Sequence, residues 1–345
     1  MQESIHIFPF ATFWPLYLLF SLGVCFVLWL SLRRFGRQAH EVSIREASIS
    51  ALAWFALALV FNVFLFFFTR WYLEGQPATV LALSSTPEAL ARQTALEFLA
   101  GYLLEKSLAV DNLFVFIVIF RFFSVAPQYQ QRVLFYGLFG AIALRAIFIA
   151  MGSVVMEIPW VVILFGIFLI YQGIGVLRGR EPEIHPENNR TLRILRRFLP
   201  ISNSLDGQRF FTKVDGRWLV TPLFLTLIFV EITDIMFAFD SVPAIFGLTR
   251  EPMVVFTSNI FAVIDLRALY FLLAAFISQF HFLSYGLSFV LIFIGLKMAL
   301  LDEVLHMKVP TEVSLLVVLT LIIGSIILSL AKPPRKIPSD DQPGI

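Results

Sequence analysis

The 345 residues include a single cysteine, Cys25. One thiol can form no intramolecular disulfide, no Cys-x-x-Cys redox pair and no thiolate zinc site. Charge is scarce as well, at 14% of residues, where soluble domains average about a quarter. The five histidines, 6, 40, 185, 281 and 306, all fall in loops or at the ends of apolar runs, which disfavours zinc, copper and haem. Gly-x-Ser-x-Gly and His-Glu-x-x-His are missing, and so are the glycine motifs that flank a paired-aspartate intramembrane protease. The expectation is a protein that is not an enzyme, with no catalytic residue and no cofactor. What the sequence has instead is apolar length. Hydrophobic residues make up 59% of the chain, 39 of them phenylalanine, and the mean hydropathy is +0.84. A soluble fold could not hide that much apolar surface, so a cytoplasmic enzyme, a nucleic-acid binder and a disordered scaffold are excluded.

A bilayer core needs about 20 apolar residues per helix. That length predicts nine spans, at about 10–32, 47–69, 96–120, 131–155, 160–177, 220–247, 253–277, 282–301 and 311–331. Lys and Arg collect in cytoplasmic loops. With the N-terminus outside, the inside segments hold 18 basic residues and the outside segments four. The predicted orientation is N-terminus out and C-terminus in. Met1 to His6 has no basic n-region, which argues against a signal peptide. Cys25 follows Leu22-Gly23-Val24, a poor lipoprotein box, and is expected to be buried. In the loop 178–219, Arg190 to Leu199 reads as a basic amphipathic helix at the membrane surface. Phe210 to Val220, broken by Asp215-Gly216, reads as a hairpin. The loop as a whole reads as a solvated connector.

Two spans share a pattern: Glu105, Ala109, Asp111 and Asn112 in one, and Asp234, Ala238, Asp240 and Ser241 in the other. In the spans that follow, Leu144-Arg145-Ala146 recurs as Leu266-Arg267-Ala268, 122 residues on, and Gly173 falls on Gly295. Three helices therefore repeat. An odd number inverts the second copy in the bilayer, an arrangement found in transporters. The predicted architecture is all-α and polytopic. Residues 1–95 supply two N-terminal helices, 96–177 the first repeat and 178–219 the basic loop. The second repeat covers 220–301, and 302–345 is the last helix with its tail.

A charge within the bilayer costs at least about 2.5–3.5 kcal/mol and marks a functional path or an internal pair. Six carboxylates stand out in the spans: Glu105, Asp111, Glu231, Asp234, Asp240 and Asp265. Lys106, Arg145 and Arg267 are their candidate charge partners, and Lys297, near a span end, is expected to snorkel out. Glu231 and Asp234 share a helix face. Glu105 and Asp234 should meet near the midplane across the pseudo-two-fold. Pro243 can free the carbonyl of Phe239 or Asp240. Asn112 and Ser241 add oxygen donors. Asn62 and Asn259 read either as path-lining donors or as interhelical hydrogen bonders. An all-oxygen donor set suits Mg, Ca and Mn.

The segments Gly101 to Asn112 and Val230 to Phe246, with Phe61-Asn62, Thr257-Ser258-Asn259 and Leu266 to Leu273, strongly resemble the TerC family, specifically its Alx-like branch. The resemblance runs from about 45 to 331. It implies a bacterial inner-membrane protein of the LysE transporter superfamily, linked to manganese export, alkaline-pH response and tellurium resistance. It places metal ligands at Glu105, Asp111, Asn112, Glu231, Asp234, Asp240 and Ser241. Two positions depart from the family pattern: Thr233, where Ser is usual, and Asp265, where Gly is expected. The functional expectation is an exporter of a hard divalent cation, Mn²⁺ first and Ca²⁺ second. The alternative is a membrane accessory protein, a tellurium-resistance or metallation and stress factor with no transport of its own. The expected partners are the lipid bilayer and the metal ion.

Overall fold

The computed structural model describes residues 6–35, 42–156, 158–178, 200–202, 206–214, 216–276, 282–305, 307 and 309–331. Within its helices, the side chains of residues 11, 30–35, 111, 114, 240 and 276 lie outside the description. Helix starts follow local chemistry. In Ser43-Ile44-Arg45-Glu46 the Ser43 hydroxyl accepts from the Glu46 N–H at 3.2 Å and opens α2 (Ile44–Glu74). Besides the short α3 (Pro77–Ala82), five helices begin with proline at the first turn, where its missing N–H costs nothing. These are α4 (Pro87–Phe122), α5 (Pro127–Val155), α6 (Pro159–Leu177), α7 (Pro222–Phe246) and α8 (Pro252–Ile264). The remaining helices are α1 (Phe10–Phe35), α9 (Leu266–Phe276), α10 (Leu283–Leu296) running into a π turn at Lys297–Asp302, and α11 (Thr311–Ala331).

Among the described residues, seven helices are long and apolar enough to cross a membrane: α1, α2, α5, α6, α7, α10 with its π turn, and α11. The span expected as one helix at 253–277 is broken. α8 and α9 meet at Asp265 with a 46° bend, and as one broken span they make an eighth. The span expected at 96–120 is the middle of α4. Its 36 residues reach far enough, but its charged residues keep it out of the apolar set. Helices suit this setting because they satisfy every backbone polar group within the segment. The protein is thus all-α and polytopic, with one small antiparallel hairpin, β1 (Phe211–Val214) and β2 (Arg217–Val220), where the sequence predicts it. The amphipathic helix expected at 190–199 lies outside the described residues.

The closest helix packing pairs α6 with α10, α5 with α7 and α4 with α8. α8 sits at the centre, buried from Met253 to Ile264. At the α6–α10 crossing the backbones nearly touch. A methyl group at Gly166 would lie 2.8 Å from the Gly295 carbonyl oxygen, and one at Gly173 would lie 2.7 Å from that of Ser288. Gly166 and Ser288, like Gly173 and Gly295, are 122 residues apart. The contacts therefore cross over, each position touching the other's counterpart, which is how a two-fold interface is built. Cys25 is exposed on α1, not buried. A thiol behaves as a small hydrophobe, and the exposed side chains around it, Leu18, Leu22 and Phe26, are apolar.

Candidate functional site

Glu105 stands at the middle of α4 and Asp234 at the middle of α7. Arg145 of α5 lies between them, and all three are buried. The guanidinium of Arg145 donates through Nη1 to Glu105 Oε1 and, at 2.8 Å, to Asn259 Oδ1. Its Nη2 is 3.7 Å from Asp234 Oδ1. The Asn259 amide closes the ring by donating to Glu105 Oε2 at 3.4 Å. One cation thus serves two acids, and the sequence-predicted meeting of Glu105 and Asp234 runs through that cation. Asp234 Oδ2, Arg145 Nη2 and Arg145 Nε have no hydrogen-bond partner among the described residues, which leaves one acceptor and two donors of the network open. Beside them is a cavity of about 20 Å³, lined by Asp234, Arg267, Gly137, Ala141 and apolar side chains of α4, α7, α8 and α9. That volume exceeds what one water needs.

Glu231 and Asp234 both face α5, as their spacing predicts. The Glu231 carboxylate packs against Gly140, where a methyl group would collide with it. Asn112 and Ser241 are buried seven residues beyond Glu105 and Asp234, about 10 Å along each helix. The Ser241 hydroxyl has no partner among the described residues. Asp111 and Asp240 occupy helical positions on α4 and α7, and their side chains lie outside the described residues. α7 continues as a helix through Pro243. Asn62 keeps a buried Oδ1 without a partner among the described residues. Asn259, in contrast, joins the central ring. Among the described residues, no three of His, Cys, Asp and Glu lie close enough to hold a metal ion.

Asp265, open to an arginine partner on the sequence, is buried and ion-paired to Lys106. The Lys106 ammonium also donates to the Tyr102 hydroxyl at 3.0 Å and lies 5.5 Å from the Phe55 ring centroid. These contacts turn the ammonium away from the Glu105 side of α4, so the extra acid is balanced locally. Lys297 does not snorkel. It is buried and donates to the Gly247 carbonyl at 2.7 Å, satisfying a carbonyl at the end of α7. Near it is a polar cluster that sequence reasoning missed. Glu97 is buried on α4, where it accepts from Gln93 at 2.8 Å and from Thr249. Glu251 takes the backbone N–H groups of Ile7 and Phe8 at 2.9 and 3.3 Å. Glu97 falls inside the predicted span 96–120, eight residues before Glu105, so its position was a usable signal.

Comparison with known proteins agrees with a polytopic membrane protein. The chain is 42% identical over 323 residues to the uncharacterized membrane protein STKORF319 of Myxococcus xanthus, covering 93% of each. It is 40% identical over 312 residues to Escherichia coli Alx, which is named a membrane-bound redox modulator, covering 90% of this chain and 92% of that one. It is 42% identical over 237 residues to the thylakoid membrane protein TERC of Arabidopsis thaliana, or 68% of this chain and 61% of that one. No solved structure matches. The sequence pattern of the integral membrane protein TerC family matches residues 90–336, and the chain belongs to that family.

Proposed function

We propose that this membrane protein exports a hard divalent cation, with Mn²⁺ as the first substrate and Ca²⁺ as its competitor. The observation that carries the reading is the buried Glu105–Arg145–Asp234 ring, in which two acids share one cation beside a small cavity. Two carboxylates against one guanidinium leave an excess negative charge in a water-poor interior. That excess favours a cation, and the remaining donors of the site are oxygens. Glu231, Asn112 and Ser241 add further oxygens along α4 and α7, and Asp111 and Asp240, one position before Asn112 and Ser241 in the sequence, are proposed to join them. Alternating access between the inverted units 96–177 and 220–301 is the proposed mechanism. The crossed contacts of Gly166 with Gly295 and of Gly173 with Ser288 support that symmetry. The proposed setting is the bacterial inner membrane, with the N-terminus outside.

The name redox modulator, carried by the Alx relatives, has little chemistry to draw on in a chain with one cysteine. The competing class is an accessory membrane protein that does not move metal itself. Sealed vesicles containing only this protein separate the two. Accumulation of Mn²⁺ inside, above protein-free vesicles, is the expected result, and equal accumulation overturns the transporter reading.

A further inference from the structure

α1 touches its neighbours through aromatic rings. Phe20 lies 5.5 Å from Phe61 on α2 and 5.9 Å from Phe256 on α8, and Phe13 lies 5.0 Å from Tyr72. Between these contacts the two helices stand apart. The gap is a cavity of about 170 Å³, walled by Leu16 and Phe20 of α1, Phe61, Phe64 and Phe68 of α2, and Met253 of α8, together with three further apolar side chains. No polar residue lines it.

We propose that this groove binds one acyl chain of a membrane phospholipid, which joins α1 to the rest of the bundle. Size selects the occupant. An apolar protein cavity of about 150 Å³ takes a benzene-sized guest, so the groove holds roughly six to seven carbons. A helix, about 10 Å across, is far too wide, which rules out insertion of a second copy of this chain. Depth agrees. Phe61 to Phe68 covers about 10 Å along α2, and Phe68 lies about 9 Å below the helix end at Glu74. That is the depth of acyl chains, with the headgroups one to two turns higher. At the higher level stands Trp71, 70% exposed, with its ring centroid 6.1 Å from that of Phe68. Tryptophan favours the headgroup region. An empty groove would leave its walls without dispersion partners on one side, and the bilayer supplies the missing hydrocarbon. The site is independent of any transported ion.

Native mass spectrometry of the purified protein during stepwise delipidation tests the site. One phospholipid per chain should survive after the loosely held lipids are gone. Leu16→Trp, which fills the groove with an indole, should lose that lipid. Leu330→Trp, on the exposed face of α11, should keep it. Retention of the lipid by Leu16→Trp, or no retained lipid on the wild type, overturns the proposal. A second measurement stands if Leu16→Trp does not fold. A photo-crosslinking benzoylphenylalanine at Phe68, half-buried in the groove wall, should give a phospholipid-mass adduct well in excess of the same group at the exposed Phe67. A cross-linked pair of chains, a fatty-acid adduct, or no excess over Phe67 each overturns it.

Discussion

Arg145 is buried among groups that need it charged, with Glu105 and Asp234 on either side. Removing one partner of a buried ion pair leaves an uncompensated charge, at a cost of about 3–5 kcal/mol. Arg145→Met should therefore lower the thermal midpoint of the detergent-solubilised protein by that equivalent, and adding Glu105→Gln should recover part of the loss. An unchanged midpoint for Arg145→Met would mean that the ring is not a structural pair. A second residue-scale expectation concerns the acids beyond the ring. An amide keeps the size of a carboxylate and removes one ligand charge, so Asp111→Asn and Asp240→Asn should each abolish Mn²⁺ export while the protein still inserts. Wild-type manganese tolerance in cells making either variant would remove that residue from the path.

At the level of elements, the α6–α10 crossing depends on side chains that are missing. A methyl group added at Gly166 would lie 2.7 Å from the Ala299 Cβ, and one at Gly295 would lie 2.5 Å from the Gly166 carbonyl oxygen. Helices this close cannot yield without moving backbone, and overpacking of this kind costs about 1–3 kcal/mol. Gly166→Ala and Gly295→Ala should each destabilise by that amount. Gly324→Ala, with nothing within 4 Å of the new methyl group, should be neutral or gain up to about 1 kcal/mol from helix propensity. Thermal melts of the three variants in one detergent compare them directly, and equal melting of all three would contradict the close approach. The bend at Asp265 belongs to the same scale. Nothing in the apolar run 253–277 announces it, because no proline or glycine interrupts those residues. The bend is set where α8 is enclosed on all sides and α9 is partly exposed against α2 and α4.

For the whole molecule, the asymmetry of basic residues between its loops makes a prediction about sides. Reporter fusions at Asn203 and Gln342 should read cytoplasmic, and a periplasmic readout at both would reverse the orientation and the direction of export. Most span positions, the hairpin and the acid-bearing helices were legible in the sequence, while the break at Asp265 and the full length of α4 were not. A bilayer demands about 20 apolar residues per crossing and helices that satisfy their own backbones, so length and composition decide those features locally. The repeated acids also pointed correctly to Glu105 and Asp234 as neighbours. Pairing was not legible. Arg145 bridging both acids, Lys106 turning to Asp265, Lys297 folding back on Gly247 and Glu97 buried beside Thr249 depend on how each helix is rotated and how closely it approaches the next. Those are decided only when side chains from distant parts of the chain compete for the same buried space, and a buried charge settles on whichever partner that packing brings within reach.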